Sequence, residues 1–151
     1  MRVEEIEDKT IYGFSTRTKN TDEMDPQTAK IGAIHQKFDS SVVINYKSGE
    51  RVYAVYYDYE SDVNGEFNVL AGYENSNEKL ESVKIKKGKY LVFHKRSKED
   101  NDDARVQAVI ETWGEVWEYF SNENSQYKRA YKTDFEYYKG QNEIEIYISI
   151  Q

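Results

Sequence analysis

Acids and tyrosines alternate in two stretches of this chain, YYDYE (56–60) and TDFEYY (133–138), and the second sets Glu136 between aromatic neighbours. A carboxylate among aromatic rings has a definite chemical use. Its charge pairs with an organic cation, while the ring faces add cation–π attraction of roughly 0.5–2 kcal/mol each. The same carboxylate, pushed toward neutrality by burial, could serve as a general base on water, with a tyrosine such as Tyr147 or Tyr138 donating a hydrogen bond. The plainer reading of any glutamate is a solvated acid on an exposed strand face. Which reading holds depends on where the strands put it.

Other chemistries fit the residues poorly. Placing Gly65 at position 6 of a calcium loop puts Glu60, Asp62 and Asn64 at positions 1, 3 and 5, but position 12 is Ala71, where the loop needs a bidentate glutamate. His35 and His94 are the only histidines and lie in different halves, so no metal-ligand spacing exists and both read as surface or packing residues. With no cysteine, disulfides and thiolate chemistry are excluded. No cofactor motif is present. The basic run KIKKGK (84–89) reads as a solvated hairpin edge, because a net charge of −7 disfavours phosphate backbones.

The positioning elements follow from period and turn chemistry. IYGFSTRT (11–18) alternates as a strand. A helix is expected from Asp25, as cap, and Pro26, at its first position, with Ile31, Ile34 and Phe38 on one face. RVYAVYYDYE and EFNVLAGYE flank Asn64-Gly65, the strongest short hairpin signal. The order then repeats. KYLVFHKR (89–96) is a strand, and a helix with Asp102 or Asp103 near its start carries Val106, Val109, Ile110, Trp113, Val116, Trp117 and Phe120 as one stripe. RAYKTDFEYY and EIEIYISI form a second hairpin around Gly140-Gln141-Asn142. An offset of 78 residues maps Tyr12 to Tyr90, Tyr53 to Tyr131, Tyr57 to Phe135 and Tyr59 to Tyr137. The chain therefore reads as one α+β domain built from two β-α-β-β units, about 1–78 and 79–151.

Each hairpin must cover one face with a helix. Ile144, Ile146, Ile148 and Ile150 share a face, and pairing Tyr138 with Glu143 would add Phe135 and Tyr137 to it. Asp134, Glu136, Tyr138, Glu145 and Tyr147 then lie opposite. The same logic leaves Tyr56, Asp58, Val69, Ala71 and Tyr73 on the second face of the first hairpin. Two sheets with aromatic, acidic second faces would meet across a groove. Trp113 could reach its edge, beside Gly114, which thins the helix there.

Taken in order, "VYAVYYDYESDVNGEFNVLAGYE", "KIKKGKYLVF", "VIETWGEVW" and "YKTDFEYY…IEIYISI" resemble the GyrI-like small-molecule-binding domains, the effector-binding domains of bacterial transcription activators and of integron-cassette drug-binding modules. The resemblance covers essentially the whole chain. It implies two β-α-β-β modules around a central pocket, and a small, cationic, aromatic ligand. The family's F-E-x-Y motif falls on Glu136 and Tyr138. The chain opens on its first strand, so the helix-turn-helix domain of the family's regulators is not expected, and a regulatory role would need a separate partner.

The leading expectation is thus a stand-alone, cytoplasmic module that senses or sequesters a lipophilic cation, with Glu136, Tyr56, Tyr73, Tyr138, Tyr147 and Trp113 as ligand-binding residues, no metal, and no contact with nucleic acid or membrane. Two alternatives stand beside it. A hydrolase of reactive small molecules would use Glu136 and Tyr147. A protein-interaction module, such as a gyrase inhibitor, would use the acidic surface.

Overall fold

A computed structural model describes residues 1–140 and 142–151. Its strands are β1 (Arg2–Ile6), β2 (Lys9–Thr18), β3 (Val52–Tyr57), β4 (Phe67–Tyr73), β5 (Glu81–Ile85), β6 (Gly88–Arg96), β7 (Asp134–Tyr138) and β8 (Glu143–Ser149). The helices are α1 (Asn20–Glu23), α2 (Ile31–Ser41) and α3 (Asp102–Ser121). The fold is α+β, and the strands form one antiparallel sheet in the order β1-β6-β8-β7-β3-β4-β2-β5. The two expected sheets are therefore halves of one, fused where β3 pairs with β7.

The strand pairings of the two halves correspond, with one strand more per half than the sequence showed. The pair Arg2↔Val92 at one edge answers to Gly13↔Glu81 at the other, and Ile6↔Gly88 answers to Lys9↔Ile85. Each half thus lends its leading strand to the other. This symmetry matches Ile11, rather than Tyr12, with Tyr90, and both pack in the same buried cluster. The ungapped offset is one residue out, which turns a strand's side chains to the wrong face.

β5 and β6 stand near opposite ends of the sheet, yet only Lys86 and Lys87 separate them. The sheet must curl to bring them together. Inside the curl lie Ile11, Val55, Leu70, Ile85, Tyr90, Val92, Phe135 and Tyr147. Gly13 faces Gly72 across β2 and β4, and a Cβ on Gly13 would sit 1.8 Å from the Ala71 carbonyl oxygen. No side chain is tolerated there.

α2 and α3 cover the other face. α2 sets Ile34 and Phe38 on Val52, Ala54, Tyr56 and Val69, while α3 sets Ala108 and Val116 on Leu91, Phe93, Ile144, Ile146 and Ile148. α2 starts at Ile31, five residues after Pro26, because the Glu23 carboxylate accepts the amides of Lys30 (2.9 Å) and Ile31 (3.1 Å). Asp25 caps a turn instead, accepting the Gln27 amide. Asn101 caps α3 through the Ala104 amide. The α3 stripe is wider than its contact with the sheet: Val116, Val109 and Phe120 reach the core, but Val106 and Ile110 are each 58% exposed and Trp117 43%. Among the described residues no helix is long and apolar enough to cross a membrane.

The second hairpin corrects the expected register. Tyr138 pairs with Ile144 and Glu136 with Ile146, one residue away from the expected alignment, because Lys139 and Glu143 close the hairpin. Asp134, Glu136 and Tyr138 therefore share the helix-covered face with the isoleucines. Phe135, Tyr137, Glu145 and Tyr147 face the inside of the curl.

Candidate functional site

The pseudo-twofold axis passes through the seam between β3 and β7, roughly perpendicular to the sheet. There Ala54 faces Glu136, Val52 faces Tyr138 and Tyr56 faces Asp134. The symmetry that relates the halves exchanges Ala54 with Glu136 and Tyr56 with Tyr138. Glu136 is 3% exposed. Its Oε1 accepts the Tyr138 hydroxyl at 2.7 Å, and its Oε2 accepts the Tyr56 hydroxyl at 2.9 Å and the Trp113 indole N–H at 2.7 Å. Both symmetry-related tyrosines thus serve the one acid. Among the described residues no cationic side chain comes within ion-pair distance of it. Burial first, and the Glu136 charge second, hold the Tyr56 and Tyr138 hydroxyls well above the ordinary tyrosine pKa, so both remain donors.

Above this seam α2 and α3 leave a cavity of about 830 Å³, the size of a drug-like ligand site. Trp113 stands edge-on to Tyr56 (5.2 Å between centroids), and His35 stands edge-on to Tyr138 (5.9 Å). The half-exposed Val106, Ile110 and Trp117 of α3 form an apolar wall toward its mouth. The cavity is thus aromatic and apolar, with one buried carboxylate in its floor.

A second carboxylate lies two residues along the same strand face. Asp134 is fully buried and accepts the Tyr59 hydroxyl (2.5 Å), the Ser149 amide (2.8 Å) and Arg129 Nη2 (2.7 Å). The Arg129 guanidinium lies 4.4 Å from the Tyr131 ring centroid and 5.9 Å from that of Tyr59. Burial works against the Arg129 charge, but Asp134 and Tyr59 more than offset it, and the pKa is raised. Tyr131 itself has φ 53°, a left-handed conformation that is costly for a bulky residue. Both Arg129 and Tyr59 line the cavity.

Four of the six residues read from the sequence meet here: Glu136, Tyr56, Tyr138 and Trp113. Tyr73 lies on the same face but packs under α2 against Phe38 (5.4 Å). Tyr147 lies on the opposite face, stacked on Phe135 (4.4 Å) with its hydroxyl donated to Glu145, because the register differs by one residue. The pairing of Glu136 with Tyr147 is therefore divided by the sheet. Gly114 opens no space beside Trp113, since a Cβ there would meet nothing within 4 Å. His35, taken as a surface or packing residue, lines the cavity one turn after Ile31; that spacing was the available signal. His94 contacts Glu143 and does not line the cavity. Arg129 and Tyr59 gave no signal, since both depend on the chain's path outside the strands.

A curled antiparallel sheet of two four-stranded halves, with an acid in an aromatic cavity at their junction, defines an effector-binding protein. The chain belongs to the family described as Cass2, integron-associated effector binding protein, whose model matches residues 2–150. It is similar to an integron cassette protein from the mobile metagenome of Vibrio cholerae, with 37% identity over 99% of this chain and 95% of that one, and a TM-score of 0.85. The fold also matches a putative transcription regulation protein from Staphylococcus aureus MU50 (15% identity, 99% and 97% coverage, TM-score 0.70). It matches SAV2435 bound to tetraphenylphosphonium as well (14% identity, 99% and 93% coverage, TM-score 0.63). No curated protein matches the chain.

Proposed function

We propose that this protein binds a lipophilic, aromatic, monocationic small molecule at Glu136, for sensing or sequestration. The observation that carries the reading is a buried carboxylate, in the floor of an apolar cavity, whose side-chain partners among the described residues are three neutral donors and no cation. A buried charge without a partner is costly, and a ligand that brings the opposite charge recovers that cost. Tyr56, Tyr138 and Trp113 supply rings as well as hydrogen bonds, which suits a cation flanked by aromatic groups. The fold relative bound to tetraphenylphosphonium supports the same ligand class. A transcriptional partner that reads the loaded state is consistent with the regulator of the same fold.

The test is calorimetric titration with tetraphenylphosphonium, followed in parallel by tryptophan fluorescence because Trp113 touches the site. Glu136→Gln keeps the shape and removes the charge, so the dissociation constant should rise about tenfold or more, on the order of 1.4 kcal/mol. Tyr147→Phe, on the other face, should leave it unchanged. Equal affinity of wild type and Glu136→Gln would end the proposal.

A further inference from the structure

Arg129 lines the same cavity, yet its place there is not that of an ordinary structural ion pair. Its side chain is only 7% exposed, and Asp134, at 0%, neutralises it. Among the described residues it makes a single side-chain hydrogen bond, from Nη2, and Nε is buried without a partner. A guanidinium has five N–H donors, and buried donors are normally matched. The site is also built: Tyr59 and Tyr131 flank the guanidinium, and Tyr131 holds a costly backbone conformation beside it.

We infer that Arg129 forms a second subsite, a donor for a neutral oxygen acceptor on the ligand that Glu136 holds by its charge. This rests on the reading of Glu136 given above and specifies that ligand further. Neutrality follows from charge balance: Asp134 already cancels the guanidinium, so an anionic group would meet the Asp134 carboxylate as well. Spacing follows from the strand. Asp134 and Glu136 are two residues apart on one face, about 6.6 Å at the usual rise. A carbonyl, or a comparable acceptor, roughly five bonds from the cationic centre matches that strand spacing and sets the geometry of the probes.

A matched pair of aryl trimethylammonium probes tests this on the unaltered protein: one with a ketone oxygen about five bonds from nitrogen, the other with a methylene there. Wild type should prefer the ketone by about tenfold, the scale of a hydrogen bond to a charged donor. Arg129→Lys keeps the charge beside Asp134 but loses the guanidinium fork, and should bring the two probes to within about twofold of each other. Equal binding of the two probes to wild type overturns the subsite, as does a preference that survives in Arg129→Lys. If the methylene probe fails to bind wild type, or binds Glu136→Gln equally well, the Glu136 reading falls and the subsite with it.

Discussion

Asp134 and Glu136 sit two residues apart on the same buried strand face, and only one of them has a cation of its own. Asp134 holds the Arg129 guanidinium among two tyrosine rings, with a tyrosine hydroxyl donated to the acid. Glu136 has the rings and the hydroxyl donors but, among the described residues, no guanidinium. The first is a completed version of what the second lacks. The halves differ in the same way, since the symmetry mate of Glu136 is Ala54. Symmetry-related tyrosines flank the axis on both sides, and an acid stands on one side of it only.

The largest effect should come from dismantling the completed pair. Arg129→Ala leaves Asp134 charged and buried, and should cost about 3–5 kcal/mol in urea unfolding. Glu136→Gln without ligand should change stability by less than about 1 kcal/mol, because the amide oxygen still accepts from Tyr56 and Trp113 while the Tyr138 hydroxyl can turn to accept from the amide N–H. Similar losses in both would erase the distinction between the two acids. Next comes Ala54→Glu, which restores the symmetry by placing like charges directly opposite each other. Its melting temperature should fall at neutral pH and recover on acidification, as one carboxyl of the pair takes up a proton. A melting temperature equal to wild type would mean that the axis is well solvated.

A smaller effect concerns the donors. Tyr56 and Tyr138 have folded-state pKa values raised above the unfolded value of about 10, by burial and then by Glu136. Their contribution to stability is full below that value and is lost as pH rises through the folded-state values. Ultraviolet titration should show part of the tyrosine population ionising at a pH well above the ordinary tyrosine range, and Glu136→Gln, which removes the charge that helps to raise it, should shift that step downward. The smallest effect lies outside the cavity. The hydrogen bond from His94 chiefly lowers the pKa of Glu143, so His94→Ala should raise it in a carboxylate NMR titration while cation binding stays as it was.

Hairpins, the second helix and the meeting of Glu136 with Tyr56, Tyr138 and Trp113 were legible because each rests on local signals: Asn64-Gly65, a 3.6-residue period, alternation along a strand. The misplacement of Tyr147 came from one residue of hairpin closure, which local pattern cannot fix and which moved a whole strand face. Glu136 reached the expected cavity even so, because the helices cover the face on which it lies. Pro26 gave a false helix start, since its signal was local while the amides of Lys30 and Ile31 were taken by Glu23. β1 and β5 escaped because their alternation is weak: both are edge strands, and much of each is exposed.

The exchange of those edge strands has a consequence for how the chain folds as it is made. Arg2 leaves the ribosome about ninety positions before its partner Val92, and Ala54 about eighty positions before its partner Glu136. At roughly 5–20 residues per second, several seconds pass with β1 and the inner edge of β3 unpaired. Neither half can close alone, so the binding cavity and the sheet are completed together, at the last hairpin.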